Sequence, residues 1–481
     1  MNIGNDQTMT QSPSGDTRQS WPDYAAVWRW HFYAGLFCLP FVCWLAITGS
    51  VYLFRPDIET WLDRPYEALP INGPRAAPSS EVRAAVAAVP GSVFSRYEPP
   101  ATPTGAAQVV VARGERLYRI YVHPGTLVAM NIVQDDHRPM ELTAHLHGQL
   151  LLGERGSMLV EVAGSWGVVM IVTGLYLWLP RGTKRLGGLL YPRLGQRGRL
   201  FWRDLHAVTG LWVSIVTLFM LLSGMPWSAN WGNYLTWVRN HWTVTAGTPD
   251  WPIGGTVQPV VHTAAALPAA ATSSKPGMTV AEMAAMSSPT TPVGQTEGRP
   301  GPDLQSLDKV VPVAARLHVP PPIWISPPAQ GTQDWTISSH IQNRPLRVTY
   351  TVAPEIGEVT GTNDFAKQNI VDKVVNVVIA THEGQLFGRL NQAILLLTAV
   401  GLLLLAISAV VMWWRRRPVG VLGAPIALRS PSLTPVLILV VVLLAVAFPM
   451  LGVSAVMLLL IEWLVLRRLP GARRWLGLQP A

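Results

Sequence analysis

Long apolar runs alternate with polar segments along this chain of 481 residues. Residues 32–54 and 207–227 contain no charged residue, and each is close to the ~20 residues with which a helix crosses a ~30 Å hydrocarbon core. The pattern predicts an α-helical integral membrane protein with about six transmembrane helices, of which the last two form a hairpin around Pro449. The apolar stretches lie at about 31–54, 157–180, 207–227, 390–414, 432–449 and 451–466.

Composition and charge agree with a membrane protein. Charged residues make up 14% of the chain, where a soluble domain has about 25%, so a soluble cytoplasmic enzyme is excluded. The net charge of +9 is concentrated beside the apolar stretches, as the positive-inside rule expects, and therefore predicts no nucleic-acid partner. The basic clusters are Arg181, Lys184, Arg185, Arg193, Arg197, Arg199 and Arg203; Arg415, Arg416, Arg417 and Arg429; and Arg467, Arg468, Arg473 and Arg474.

The basic clusters also predict a topology. Residues 1–30 are polar and lack the apolar core and cleavage site of a signal peptide, so we expect an uncleaved first helix with a cytoplasmic N-terminus. The two long connections then lie on the external side, which in a bacterium is the periplasm. The predicted segments are a cytoplasmic tail (1–30), TM1 (31–54), a first periplasmic module (55–146), TM2 (147–180), a basic loop (181–205), TM3 (206–227), a second periplasmic segment (228–381), TM4 (382–414), a cytoplasmic loop (415–431), the TM5–TM6 hairpin (432–466) and a basic tail (467–481).

The two long periplasmic segments follow one plan. The first has an Ala/Val-rich helical stretch, EVRAAVAAV, and then the strand-like runs AQVVVA and LYRIYVHP. The second begins with a Pro/Thr/Ala/Gly-rich stretch, about 244–303, that reads as a linker. It continues with the helical DLQSLDKVVPVAARL and the strand-like DWTISSH and LRVTYTV. This order predicts two small α+β modules.

An internal duplication relates the transmembrane helices. His31 and His206 are each followed by Gly-Leu at +4 and +5, and by Thr-Gly or Ser-Gly at +17 and +18. His147 and His382 are each followed by Thr or Ser at +26, Trp at +31 and Arg at +34, although the nearby Gly-Gln-Leu triplet is offset by one residue. The chain therefore reads as two copies of helix, external module and helix, followed by the extra hairpin.

The four matched histidines suggest chemistry. Two neutral imidazoles from different helices, on opposite faces of a flat macrocycle, are the arrangement of bis-histidine haem ligation. Gly35 and Gly210 would leave room for a porphyrin beside the helices. Helix length puts one pair at each membrane face, so the sharpest hypothesis is two b-type haems that conduct electrons across the membrane.

Other interpretations of these residues stay open. A single histidine at a helix end is usually an interfacial residue, and His145 competes with His147 for the role of ligand. Zinc is the weaker alternative because no H-E-x-x-H motif is present. Glu161 inside the second helix either relays protons or reaches the headgroups. No catalytic residue is named by the sequence.

The sequence resembles the PepSY-associated transmembrane helix family, whose members are often iron-regulated membrane proteins. The resemblance covers about residues 25–418, and the external modules resemble PepSY domains more loosely. It implies an inner-membrane di-haem ferric-siderophore reductase for iron uptake, with His31, His206, His147 and His382 as the haem ligands. The motifs that carry it are WRWHFYAGLFCLPFVCWLAITGSVYLF, LHGQLLLGERG, TGLYLWLPR, FWRDLHAVTGLWVSIVTLFMLLSG, THEGQLFGRL and WWRRR.

The expected partners follow from this resemblance. The substrate would be a periplasmic ferric siderophore, and the electron donor either membrane quinol or a cytoplasmic flavoprotein, since the chain has neither G-x-G-x-x-G after a strand nor a P-loop. Two alternatives remain: a haem subunit that transfers electrons to a partner protein, and a non-enzymatic PepSY regulatory or binding protein without haem.

Overall fold

The computed structural model describes residues 24–179, 186–242, 303–329, 332–425 and 435–478. Several sequence predictions fall outside these ranges: most of the N-terminal tail, nearly all of the linker predicted at 244–303, and some of the basic residues and histidines. The individual residues concerned are Arg181, Lys184, Arg185, His262 and Arg429.

The chain forms two compact units. The first combines Met1–Ile47, Glu154–Thr236 and Leu397–Ala481, and the second combines Thr48–Gly153 and Trp237–Leu396. The helices are α1 (Tyr24–Tyr52), α2 (Arg55–Asp63), α3 (Pro78–Ala88), α4 (Pro139–Gln149), α5 (Glu154–Trp178), α6 (Arg199–Gly224), α7 (Ala229–Trp242), α8 (Leu304–Arg316), α9 (Ile370–His382), α10 (Arg389–Arg416), α11 (Pro435–Ala447), α12 (Pro449–Leu464) and α13 (Pro470–Leu476).

Five of the described helices are long and apolar enough to cross a membrane: α1, α5, α6, α10 and α12. The spans that contain α6 and α12 continue for a few residues beyond these helices, to Trp227 and Arg468. Helix α11 is equally apolar but has only 13 residues, about 20 Å at 1.5 Å per residue, which is less than the ~30 Å core. The helices therefore fit a helical membrane protein. The sixth predicted span is present as a helix but is short.

The segments predicted as TM2 (147–180) and TM4 (382–414) are each broken near their start. Leu150, which follows α4, has a φ of 52°, and Gly384, just after α9, has a φ of 74°. A left-handed residue cannot continue a right-handed helix, so a new helix begins a few residues later in both copies. His147 and His382 consequently lie on α4 and α9, outside the five membrane spans.

In the first unit, the C-terminal hairpin packs on α5. The Trp166 indole donates a hydrogen bond of 3.0 Å to Ser454 Oγ, and Phe448 and Leu451 are buried against Val168. These contacts tie a segment that lies beyond the duplicated part of the chain to the second helix of the first copy.

Glu161 has a specific structural partner in the same unit. Its Oε2 accepts a hydrogen bond of 3.0 Å from the backbone N–H of Asn230, and Ser157 Oγ accepts one of 3.0 Å from the N–H of Ala229. Both N–H groups belong to the first turn of α7, whose donors have no partner within the helix. This buried carboxylate therefore caps α7, which explains its presence inside a span.

The second unit contains one antiparallel sheet of eight strands. Each predicted module supplies four strands, and β1 pairs with β5 through Tyr97 and Ile325, so the two modules share one continuous sheet. The sequence predicted two separate modules and did not indicate this pairing. The sheet order is β4-β3-β2-β1-β5-β6-β7-β8, with β1 (Val93–Glu98), β2 (Ala107–Arg113), β3 (Arg116–Val122), β4 (Ala129–Gln134), β5 (Ile323–Ser326), β6 (Trp335–Ser339), β7 (Val348–Ala353) and β8 (Glu358–Asp364).

One face of this sheet forms the core with α3 and α8. Alternate strand residues point to the same face, and Tyr97, Ile120, Trp335 and Ile337 are almost completely buried there against Leu307 of α8. Burial of each large apolar side chain contributes about 1.5–3 kcal/mol to folding. The core spans both modules, so neither copy buries its apolar face alone.

The other face of the first four strands carries paired charges. The Arg119 guanidinium lies 2.6 Å from Glu98 Oε2 and 3.0 Å from Asp135 Oδ1, and Arg96 also contacts both carboxylates. Burial alone would raise the pKa of Glu98 and of Asp135, but Arg119 and Arg96 outweigh it and hold both pKa values below their ordinary range. These carboxylates stay ionised, and the network fixes β1, β3 and the turn after β4.

Candidate functional site

The first histidine pair, His31 and His206, lies inside two membrane spans of the first unit. His31 is the eighth residue of α1, and His206 is the eighth residue of α6. The centroids of the two imidazole rings are 6.4 Å apart, and the ring planes form an angle of 80°. The duplication thus brings its two equivalent histidines close together, with their rings nearly perpendicular.

His31 is held by the second helix of its own copy. Its Nδ1 is 3.0 Å from the carbonyl oxygen of Met170 and 3.2 Å from Thr173 Oγ1, both on α5. Thr173 is the +26 residue of the repeat.

His206 repeats this arrangement in the second copy. Its Nδ1 is 3.2 Å from the carbonyl oxygen of Leu405 and 3.1 Å from Ser408 Oγ, both on α10. Ser408 is the +26 residue of the second frame, so the two copies present the same pair of groups to their histidines.

These contacts define which ring nitrogen carries the proton. The hydroxyl of Thr173 donates to the carbonyl of Val169 at 2.7 Å, and that of Ser408 donates to the carbonyl of Leu405 at 2.9 Å. A carbonyl oxygen only accepts, and each hydroxyl has already placed its one proton, so Nδ1–H must donate to both. The lone pair of Nε2 then remains on His31 and His206 as a metal ligand.

A glycine makes room for His31. A Cβ atom at Gly174 would lie only 3.0 Å from His31 Cε1, tighter than most side-chain contacts, so the ring would have to shift. At Gly35 and Gly210, which the sequence suggested as space for a porphyrin, a Cβ would meet Met170 at 3.9 Å and Leu405 at 3.6 Å, both ordinary contacts. The tight position is therefore Gly174, beside the histidine.

The second histidine pair, His147 and His382, belongs to the second unit. His147 Nδ1 is 2.9 Å from Thr48 Oγ1, and a Cβ at Gly49 would lie 3.1 Å from His147 Cε1. Burial lowers the pKa of His147 to about 4. Burial, together with the nearby His147, lowers the pKa of His382 to about 3. Both imidazoles are neutral near pH 7, the form that binds a metal.

His145, the alternative ligand, has a different setting. It lies two residues before His147 on α4, and its backbone carbonyl accepts the hydrogen bonds that close the helix, from the N–H groups of Leu150 and Leu151. The hydrogen bond to Thr48, at the +17 position of the repeat, is made by His147. The contacts thus favour His147 over His145.

The other described histidines lie away from both pairs in the contacts they make. His340 stacks on Trp324 with ring centroids 3.4 Å apart, and His241 packs on Trp237 at 4.5 Å. His123 Nδ1 accepts hydrogen bonds from the N–H groups of a turn at Gly125 and Thr126. These contacts are local ring packing and turn hydrogen bonds.

The spacing of the first pair fits a haem. An imidazole nitrogen binds a transition metal at about 2 Å, so two imidazoles that bind one metal from opposite sides would have ring centroids roughly 6 Å apart. The observed 6.4 Å is close to this spacing, and Nε2 is the nitrogen that the Nδ1 contacts leave unengaged in each ring. Among the described residues, no group of three or more His, Cys, Asp or Glu is arranged to hold a metal ion. A haem needs one or two protein ligands to its iron, so two histidines are sufficient.

Some site residues could be located from the sequence and others could not. The repeat frames contain Thr48, Thr173 and Ser408 at matched positions, but they do not predict that these hydroxyls contact the histidines. The carbonyls of Met170 and Leu405 have no sequence signal, because every residue has a carbonyl. Their contribution depends on how the helices pack.

Comparison with known proteins identifies the family of this chain. A comparison with curated proteins finds no match. The sequence does match the family described as the PepSY-associated TM region, over residues 28–416. This range contains both histidine pairs and the whole eight-stranded sheet and ends before the C-terminal hairpin. The chain is therefore a multi-pass membrane protein that belongs to the PepSY-associated TM family.

Proposed function

We propose that this protein is a haem-containing membrane oxidoreductase that transfers electrons to a ferric siderophore outside a bacterial inner membrane. The observation that carries the proposal is the first histidine pair. Two equivalent imidazoles lie with their ring centroids 6.4 Å apart, and each Nδ1 is engaged by a carbonyl and a hydroxyl. Such contacts on the ring nitrogen that does not bind the metal orient metal-binding imidazoles and increase their basicity.

His31 and His206 would hold one haem, and His147 and His382 a second. A bound haem supplies one-electron redox chemistry, while the protein supplies axial ligands, burial and position. The chain's own contribution is to orient the imidazoles. A carbonyl and a hydroxyl engage Nδ1 of both His31 and His206, and Thr48 engages Nδ1 of His147. Glycines leave space beside His31 and His147. From the sequence, the first pair belongs toward the cytoplasm and the second toward the periplasm.

The proposed reaction is a one-electron reduction. A siderophore holds Fe(III) through hard oxygen donors, and Fe(II) is bound far less tightly by the same donors. One electron added to the ferric complex gives Fe(II), which is released for uptake. The electron would come from membrane quinol or from a cytoplasmic flavoprotein at the basic surface. The eight-stranded sheet would form the docking surface for the complex.

The first test is the absorption spectrum of the purified full-length protein, oxidised and dithionite-reduced, with a pyridine haemochrome count. The expected result is two b-type haems per chain with sharp low-spin bands. The reduced protein is then mixed with a ferric hydroxamate chelate under anoxic conditions, and Fe(II) is trapped with ferrozine. We expect haem reoxidation and Fe(II) formation in equal amounts.

Each of the other outcomes would indicate a different function. Haem that is not reoxidised by any ferric chelate would indicate an electron-transfer subunit for a partner protein. Protein without haem, purified from cells supplied with haem precursors, would reject the oxidoreductase and favour a PepSY regulatory or binding protein.

A further inference from the structure

Each ring of the first histidine pair is fixed by two groups on a single neighbouring helix. His31 Nδ1 contacts the carbonyl of Met170 and the hydroxyl of Thr173, which are three residues apart on α5. Two acceptors on either side of one N–H determine the rotation of the imidazole about its Cβ–Cγ bond. The hydroxyl cannot turn away, because its proton is bonded to the carbonyl of Val169.

The same construction on the other copy gives a different ring plane. His206 is fixed by Leu405 and Ser408 of α10, and the two ring planes are 80° apart. Because each ring follows its own helix, the angle between the rings is determined by the packing of α1 on α5 and of α6 on α10. Nothing in the two imidazoles themselves requires this angle.

We propose that Thr173 and Ser408 are positioning residues that hold the two imidazole planes perpendicular and thereby define the electronic state of the haem between them. This inference rests on the proposed haem site and deepens it. The orientation of the two imidazole planes would control the splitting of the iron dxz and dyz orbitals, which overlap with the π orbitals of the rings. Perpendicular rings leave two of these orbitals nearly equal in energy, whereas parallel rings separate them.

This difference has a direct spectroscopic signature. A low-spin ferric haem with perpendicular imidazoles gives a highly anisotropic EPR signal with one large g value. Parallel imidazoles give an ordinary rhombic signal with three resolved g values. We expect the haem bound by the first pair to give the highly anisotropic signal. The donated Nδ1–H bonds also increase imidazole basicity, which favours Fe(III) and lowers the reduction potential of this haem.

The decisive variants are Thr173→Val and Ser408→Ala in the full-length, haem-loaded protein. Each removes the hydroxyl but leaves the carbonyl of Met170 or Leu405, so the ring stays bound and gains freedom to rotate. We expect loss of the highly anisotropic signal, appearance of a rhombic one, and a higher reduction potential for one haem only. Thr173→Ser restores the hydroxyl and should restore the wild-type spectrum.

Matched controls are available on α6, the helix that carries His206. Thr217 is buried, and its hydroxyl has no hydrogen-bond partner among the described residues, so Thr217→Val removes a comparable group with no expected effect. Ser214→Ala removes a hydroxyl that, among the described residues, donates to the carbonyl of Gly210 in its own helix. Spectra of Thr173→Val and Ser408→Ala that match these controls would overturn the proposal.

A second measurement tests positioning without haem. In haem-free protein with ¹⁵N-labelled histidine, NMR distinguishes the Nδ1–H from the Nε2–H tautomer. We expect His31 and His206 in the Nδ1–H form, with an increased Nε2–H fraction for His31 in Thr173→Val and for His206 in Ser408→Ala. Unchanged tautomers would reject the role of these hydroxyls even if haem binds. If the wild-type protein binds no haem, the proposed function is rejected. The tautomer measurement would still show whether Thr173 and Ser408 position the two imidazoles.

Discussion

The two histidine pairs are built differently, although the same duplication produced both. His31 and His206 occupy equivalent places in long spanning helices and make the same two contacts. His147 lies two residues before the end of α4, whereas His382 is the last residue of α9. Contacts inside a packed bundle are constrained on all sides, while a helix end can shift by a residue and still be closed by a left-handed turn.

This difference accounts for the irregularity in the repeat. The Gly-Gln-Leu triplets at 148–150 and 384–386 are offset by one residue relative to their histidines. In the first copy the left-handed residue is Leu150, and in the second it is Gly384. The chain therefore leaves the helix at different places in the two copies, and both still continue into a membrane span.

The largest expected effect separates the two pairs by substitution. His31→Ala and His206→Ala should each remove one haem, and His147→Ala and His382→Ala should each remove the other. The reason is that each haem site would lose one of its two histidines. Haem content should fall from two to about one per chain in the pyridine haemochrome assay.

Two control variants sharpen this test. His145→Ala should keep both haems if His147 is the ligand, and His241→Ala, whose ring packs on Trp237, should also keep both. Loss of a haem in His145→Ala would instead identify that residue as the axial ligand.

The next largest effect on haem occupancy is expected when the space beside the His31 or His147 ring is filled. Gly174→Ala and Gly49→Ala would place a methyl group 3.0–3.1 Å from a histidine carbon, which displaces the ring or costs about 1–3 kcal/mol of overpacking. We expect haem occupancy to fall several-fold at limiting haem, for a different haem in each variant. Gly35→Ala, with its nearest atom at 3.9 Å, is the control and should bind haem normally.

A smaller difference, in haem affinity, is expected because the two rings have different numbers of hydrogen-bond partners. His147 has Thr48 as its hydrogen-bond partner among the described residues, while His31 has both Thr173 and Met170. Thr48→Val removes the hydrogen bond of a buried ring nitrogen of His147, at about 1–3 kcal/mol, whereas Thr173→Val leaves the Met170 carbonyl beside His31. Haem titration should show the greater loss of affinity in Thr48→Val. Equal losses would mean that the two pairs are held alike.

The smallest effect concerns the charged face of the sheet. The pKa values of Glu98 and Asp135 are lowered in the folded protein, so their contribution to stability is present above the unfolded pKa values, about 4, and is lost as the pH falls further toward the folded values. Hydrogen exchange followed by mass spectrometry should show strands β1 and β3 losing protection below about pH 4.

Removal of a partner provides the check on this pH effect. Arg119→Met leaves Glu98 and Asp135 with Arg96 alone, and should both destabilise the sheet and flatten its dependence on acid. An unchanged acid transition in Arg119→Met would show that these carboxylates do not control it.

Much of this architecture could be predicted from the sequence. Apolar length located the helices, and the duplication located His31 opposite His206 because identical frames fold into equivalent helices. The breaks at Leu150 and Gly384 were missed. Leu150 is a residue that normally continues a helix, and its neighbours Leu151 and Leu152 hide this first break from a hydropathy pattern.

The sequence by itself determined the membrane class, the two copies and the four matched histidines, since these depend on residue type and spacing along one chain. Only the tertiary structure decided that both modules share one sheet through Tyr97 and Ile325, and that Thr173 and Ser408 bind the imidazoles. These contacts join residues far apart in the chain, and strand edges and backbone carbonyls carry no residue code. Their partners are therefore selected by packing, which local sequence does not specify.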